Sequence, residues 1–141
     1  MEAAIFIRNE AVRLGFDFCG IARAVKLDAD ARRLELWLHK GYQGQMSYLE
    51  RHFEERVDPR RLVPGARSVI TLLKNYYPTQ EQDTAVPRVA RYAYGEDYHL
   101  VIRQRLQEFL FELRSHFGDI QGRGFVDSAP VLEKSWAVQS G

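Results

Sequence analysis

A mixed α/β domain, with a central β-sheet and helices packed on it, is the fold class this sequence predicts. Three observations carry that expectation. Stretches with apolar side chains at three- and four-residue spacing alternate with short runs of β-branched and aromatic residues, which is how a sheet covered by helices reads along a chain. The length of 141 residues suits a single domain with one hydrophobic core and excludes a multi-domain enzyme. Apolar residues make up 45% and charged residues 28% of the chain, ordinary globular proportions that fit neither wholesale disorder nor a fibrous repeat.

The elements follow in order. Ala4, Ile7, Ala11 and Leu14 fall on one face of a helix over roughly residues 2 to 14, and Gly15 sits where a left-handed C-terminal cap belongs. Phe16 to Ala22 is short, aromatic and apolar, and reads as a strand. It leads to Asp28, an N-cap candidate for a helix with Ala31, Leu34 and Leu38 on one face and Gly41 as its stop. Met46, Leu49 and Phe53 suggest another short helix, after which Asp58-Pro59 supplies a cap with a first-turn proline and Pro64-Gly65 a turn. The run Ser68 to Leu73 is apolar on both faces, the pattern of a central strand buried on two sides. Residues 78–87, polar and bracketed by prolines, read as an exposed and mobile loop. Ile102, Leu106, Phe109, Leu110, Leu113 and Phe117 mark the longest helix, within residues 96–117, and Gly118 ends it. Gly122 to Asp127 reads as a short strand. Pro130 then opens a last helix in which Val131, Leu132, Trp136 and Val138 seek apolar cover.

Charge and cysteine content narrow the function classes. Twenty basic against 19 acidic residues leave a net charge of +1, so the chain has no global pull toward nucleic acid or anionic lipid, and any polyanion contact must be local. The basic side is 16 Arg to 4 Lys, and the planar guanidinium suits phosphate and carboxylate. Cys19, the single cysteine, can neither close an internal disulfide nor by itself hold zinc or an iron–sulfur cluster. The histidines His39, His52, His99 and His116 lack metal-ligand spacing, so no metal site is expected. No GxGxxG, P-loop, HExxH or GxSxG motif is present. The N-terminus has an early acid and no long apolar run, and no stretch approaches the ~18 apolar residues of a membrane span, so no membrane partner is expected and the cytoplasm is the expected location.

Three segments look unlike scaffold. Residues 51–67 hold Arg51, Arg56, Arg60, Arg61 and Arg67 against Glu54, Glu55 and Asp58. A solvated, internally paired helix face accounts for most of these arginines; Arg56 stands apart because it precedes the capped Asp58-Pro59 turn and could be aimed rigidly. Residues 88–99 interleave Arg88 and Arg91 with Tyr92, Tyr94 and Tyr98. Aromatics beside guanidinium groups suit a flat heterocycle with a phosphate, and tyrosines that simply roof the core edge explain the pattern equally well. Glu96, Asp97, Tyr98 and His99 open the long helix, where acids suit the helix dipole whatever the function. Asp127, in Val-Asp-Ser-Ala-Pro, falls at an expected strand end ahead of a helix, the usual place for catalytic side chains in α/β sheets. Base rates favour a capping role for Asp127 or Ser128 instead; a carboxyl buried there in an apolar setting would have the raised pKa of a proton donor.

Taken together, Gly15-Phe16-Asp17-Phe18-Cys19-Gly20-Ile21-Ala22, the stretch from Asp58-Pro59-Arg60 to Ser68-Val69-Ile70, the segment Arg91-Tyr92-Ala93-Tyr94-Gly95-Glu96-Asp97-Tyr98-His99, and Val126-Asp127-Ser128-Ala129-Pro130-Val131-Leu132-Glu133 resemble the epoxyqueuosine reductase family. The likeness runs in the family's order from about residue 10 to the end of the chain. It implies a cobalamin- and iron–sulfur-dependent oxidoreductase that reduces the epoxide of epoxyqueuosine in the tRNA anticodon loop, the last step of queuosine biosynthesis. By the same resemblance Asp127 is the proton donor, and Arg56 and Ala93 lie with it at the corrinoid and substrate pocket. Ala93 is small enough to let a ring approach. Arg91, Tyr92, Tyr98 and His99 become candidates for substrate and tRNA contact.

The resemblance also sets expectations about what the chain lacks. Family members continue into a second half of the cobalamin pocket and a cysteine-rich region for two [4Fe–4S] clusters, which ordinarily need about eight thiolates. The chain is therefore expected to be an N-terminal domain alone, inactive in isolation, holding no cluster and binding cobalamin weakly. Val131, Leu132, Trp136 and Val138 would then leave exposed apolar surface and drive self-association. The alternatives are a non-catalytic module that binds a corrinoid or a tRNA loop, and a purely structural fragment.

Overall fold

The computed structural model describes residues 1–79 and 81–141; position 80, within the loop expected over 78–87, lies outside them. Among the described residues the chain forms α1 (Glu2–Arg13), β1 (Phe18–Arg23), α2 (Asp28–His39), a 3₁₀ turn (Ser47–Leu49), α3 (Phe53–Val57), α4 (Pro59–Leu62), β2 (Ser68–Leu73), a second 3₁₀ turn (Arg91–Ala93), α5 (Tyr98–Phe117) and α6 (Glu133–Gln139). This is the mixed α/β class that the alternation predicts. None of the helices is long and apolar enough to cross a membrane.

The strands pair antiparallel. The Asp17 amide donates to the Leu73 carbonyl at one end and the Ala24 amide to the Arg67 carbonyl at the other, each at 2.9 Å. β2 has the bounds expected of it but not the setting. The sheet has two strands, and no residue of β2 is fully buried, so it is not a central strand covered on both faces. The third strand expected over residues 122–127 does not form: residues 120–132 carry neither helix nor strand. Gly122 and Gly124 give a ladder little to pack, and Asp127 turns to φ +49°, outside the β region. The last helix begins at Glu133, with Leu132 as N-cap and no side-chain cap, so neither Pro130, Asp127 nor Ser128 opens it.

The chain divides into two compact units. The first comprises Met1–Cys19, Leu72–Ile120 and Gly124–Ser128. Here α1 packs on α5, with Ala11 buried on the first and Phe109 and Leu113 on the second, and Phe16, just past α1, is buried with its ring edge to face with Phe109 at 6.4 Å. Arg13 bridges Glu10 at 2.8 Å and Glu112 at 3.1 Å. Gly15 ends α1 at φ +82°, where a side chain would be strained, and its carbonyl accepts from the Arg105 guanidinium at 3.3 Å.

The second unit comprises Gly20–Thr71, Gln121–Arg123 and Ala129–Gly141. Ala24, Leu27, Ala31, Val57 and Trp136 are buried in it. The Leu27 amide donates to the Val57 carbonyl at 2.9 Å. Leu27 rather than Asp28 is the N-cap of α2, so Asp28 acts as a first-turn acid on the helix dipole. Trp136 is only 3% exposed, whereas Val138 is 81% exposed, and Val131 and Leu132 are half-buried. The apolar surface expected at this end is thus reduced chiefly to Val138.

Asp58 does what its position before Pro59 predicts. Its carboxylate accepts from the Arg60 amide at 3.1 Å and from the Arg60 side chain at 2.8 Å on each oxygen, and it is buried. The Arg60 guanidinium bond holds its pKa below the ordinary value, against the opposing effect of burial. Because the folded pKa is depressed, the stabilisation is complete above the unfolded value of ~3.9 and is lost as pH falls through the folded one. Asp58→Ala is expected to cost about 0.5–2 kcal/mol at pH 7 and far less near pH 2. Urea unfolding at both pH values checks this, and an equal loss at both would refute the ion-pair account.

Candidate functional site

The polar cluster of the first unit is built around the start of α5. Asp97 caps that helix, its carboxylate accepting from the His99 amide at 2.9 Å, as short acids do at N-caps. The cap also fixes the next two side chains. His99 Nδ1 lies 2.9 Å from the same Asp97 oxygen, and the Tyr98 and His99 rings stack at 4.0 Å. The His99 backbone and ring bonds hold the Asp97 carboxyl below the usual range.

Asp127 meets this turn from 29 residues further along the chain. The Tyr98 hydroxyl donates to Asp127 Oδ2 at 2.7 Å, and His99 Nε2 lies 3.5 Å from that oxygen. The hydrogen bond to Asp127 pushes the Tyr98 phenol up to about 12, so Tyr98 stays a donor across the physiological range. Asp127 is not the buried apolar carboxyl anticipated for a proton donor. Its side chain is 49% exposed, in a setting of phenol and imidazole. Its positive φ is one that aspartate adopts more readily than most residues.

An aromatic shelf surrounds the pair. Tyr92 stands edge-on to Tyr98 at 6.2 Å, and Tyr76 lies over Tyr98 at 6.5 Å. The Arg91 guanidinium sits 4.2 Å from the Tyr77 ring centre. Tyr92, Tyr76 and Tyr77 are each more than half exposed, and Ala93, at the end of the 3₁₀ turn, is exposed too. The structure therefore gathers Asp127, Tyr98, His99, Tyr92, Arg91 and Ala93 in one unit. Arg56 belongs to the other unit, where it is half-buried; its guanidinium reaches the Tyr48 carbonyl at 3.5 Å, and its buried Nε has no hydrogen-bond partner among the described residues.

Three residues of the site escaped sequence reasoning in this role. Asp97 was legible as a helix-opening acid but not as a partner of the imidazole. Tyr76 and Tyr77 were not singled out, although an adjacent pair of tyrosines three residues past an apolar strand is a signal that could have found them.

Residues 56–128, just over half of the chain, match the family model described as "Epoxyqueuosine reductase QueG, DUF1730". The epoxyqueuosine reductase of Cyclobacterium marinum is 52% identical over 137 residues, a match covering 96% of this chain and 44% of the relative. Among solved structures, an epoxyqueuosine reductase with an epoxyqueuosine-modified tRNA-Tyr stem loop superposes with a TM-score of 0.83 at 28% identity, covering 99% of this chain and 38% of the other. An epoxyqueuosine reductase from Bacillus subtilis, with its catalytic aspartate loop swung out of the active site, gives a TM-score of 0.81 at 27% identity, with coverage of 99% and 38%. The chain thus spans less than half the length of these relatives. With its matched segment running from Arg56 through Ser128, the chain belongs to the epoxyqueuosine reductase family.

Proposed function

We propose that this chain supplies the proton-donating and substrate-facing part of an epoxyqueuosine reductase that acts on tRNA. The observation that carries the reading is Asp127, bonded to Tyr98 and faced by His99, on an open shelf of tyrosines and arginine. Reduction of an epoxide to an alkene breaks two C–O bonds. The oxygen leaves as water after the substrate has taken up two electrons and two protons. Asp127 gives a proton to the departing oxygen, and Tyr98 fixes the direction of its carboxyl. Tyr92 offers a face for a base and Arg91 a charge for a phosphate. The tRNA stem loop held by one solved relative, and the catalytic aspartate loop of the Bacillus subtilis one, support this assignment.

Cobalamin, when bound, supplies electrons to the epoxide carbons. The residues present fit it in part. In the first unit the exposed Ala93 offers a surface without bulk to a macrocycle. A [4Fe–4S] cluster does not fit this chain. It requires four thiolates, and Cys19 is alone and buried, with its thiol pushed up by desolvation.

The binding half of the proposal is tested with an epoxyqueuosine-modified stem loop and the reductase that carries this segment. Tyr92→Ala is expected to raise Kd about 5- to 150-fold, the value of ~1–3 kcal/mol for one stacked base, and Arg91→Ala to flatten the salt dependence by about one ion. Unchanged affinity and salt slope in both variants would refute the assignment of this shelf to RNA.

A further inference from the structure

Asp127 carries one transferable proton, whereas an oxygen that leaves as water takes two. Any reductase that uses this carboxyl must therefore reload it within the turnover or hold a second donor beside it. His99 is placed for that task. Its Nε2 faces Asp127 Oδ2 at 3.5 Å, while its Nδ1 is held 2.9 Å from Asp97. The geometry points to His99 as the positioning residue that reloads Asp127, with Asp97 as the anchor that keeps the imidazole in the Nδ1–H form. The inference rests on the proposed role of Asp127.

Asp127 gives its proton to the epoxide oxygen as the first C–O bond breaks, and becomes a carboxylate. The imidazolium of His99 then passes its Nε2 proton to that carboxylate, leaving neutral Nδ1–H imidazole. Asp127 delivers this second proton as the other C–O bond breaks and water departs. The two electrons come from the reductase's corrinoid cofactor, and His99 draws two protons from solvent, to which it is partly exposed, one passed on to Asp127 and one kept, so that both groups are reset for the next turnover.

Asp97 makes the direction of transfer possible. With Nδ1–H donating to Asp97, the exchangeable site is Nε2, on the side of Asp127, the orienting logic by which a carboxylate sets a histidine tautomer elsewhere. An ion pair of 3.5 Å is long for a hydrogen bond, and such contacts tighten when substrate closes on a site. Among the described residues, the charged and titratable groups on this imidazole are Asp97 and Tyr98 on its own turn and Asp127 on the loop after α5, with Arg103 acting on Asp97 and with Tyr92 and Tyr76 packed on the Tyr98 ring. The depressed titration of Asp97 keeps it an acceptor throughout the working range.

Two measurements test this. In the 141-residue chain, ¹⁵N NMR of the His99 ring is expected to show the Nδ1–H tautomer when neutral, shifting toward Nε2–H in Asp97→Asn. In the full-length reductase, His99→Ala is expected to lower kcat about 10²-fold with KM changed less than about threefold, and added imidazole to restore the rate about tenfold or more. His99→Ala at near wild-type kcat, no rescue by imidazole, or an Nε2–H ring in the unmodified chain would each overturn the relay. Full activity in Asp127→Asn would instead overturn the underlying assignment, so the two failures are told apart.

Discussion

Asp127→Asn in the reductase that carries this segment is expected to lower kcat by about 10²–10⁴-fold, the usual contribution of a positioned general acid, with little change in affinity for tRNA or cobalamin. The asparagine keeps the shape and still accepts the Tyr98 hydroxyl bond of 2.7 Å, but it has no proton to give. Asparagine also tolerates the backbone at φ +49°, so the fold should be untouched. Alanine is a poorer probe, because a left-handed conformation costs it roughly 1–2 kcal/mol. The capping role that base rates favoured for Asp127 makes a different prediction: lost stability and intact turnover. That role has no helix to act on, since α6 starts at Glu133 behind an uncapped Leu132. Stopped-flow turnover with an epoxyqueuosine-modified stem loop, read beside thermal melts of the same variant, decides the matter. Near wild-type turnover in the asparagine variant would show that the proton comes from elsewhere.

How much of this could be read from sequence differs by element for physical reasons. The helices α1 and α5 and the strand β2 were legible because apolar spacing and a following glycine are local signals. Gly15 and Gly118 do end their helices with positive φ, and Asp58 does cap the turn at Pro59. Alternation alone misled at residues 122–127, where Phe125 and Val126 mimic a strand but flanking glycines and the turned Asp127 prevent a ladder. The apolar run Ser68–Leu73 showed a strand without showing how many neighbours it has, a property of the tertiary fold. The site divides the same way. The pairing of Asp97 with His99 is an i,i+2 contact fixed by a helix cap, and is in principle readable. The bond from Tyr98 to Asp127 joins residues 29 apart, and nothing in their local spacing announces it. The family resemblance singled out Asp127, Tyr98 and His99 before geometry could, but it did not show that the carboxyl is open to solvent or that Asp97 completes the chain.

Trp136→Ala is expected to produce the largest loss of stability of any single change considered, about 3–5 kcal/mol for a buried tryptophan truncated in a packed interior. The expectation follows from a difference between pattern and structure. Read along the chain, Trp136 belonged with Val131, Leu132 and Val138 to a surface left open for self-association, which would make its removal harmless or even helpful to solubility. In the fold Trp136 is almost wholly enclosed, and its carbonyl ties down the end of α6, accepting from the Ser140 amide at 3.0 Å and from the Ser140 hydroxyl at 2.8 Å. Ser140 in turn lies against Gly20, where an added Cβ would come within 2.6 Å of the Ser140 carbonyl oxygen. A cavity at position 136 would therefore loosen the seat of α6 on that glycine. Domains carry a margin of only about 5–15 kcal/mol, so the alanine variant should unfold at much lower urea, with Trp136→Phe intermediate between it and the unmodified chain. Val138→Ser supplies the contrast. At a side chain so exposed, stability should move by no more than about 0.5 kcal/mol, and any self-association read by light scattering should weaken. If Trp136→Ala melted with the unmodified chain while Val138→Ser were the damaging change, the burial of this helix would have to be assigned the other way round.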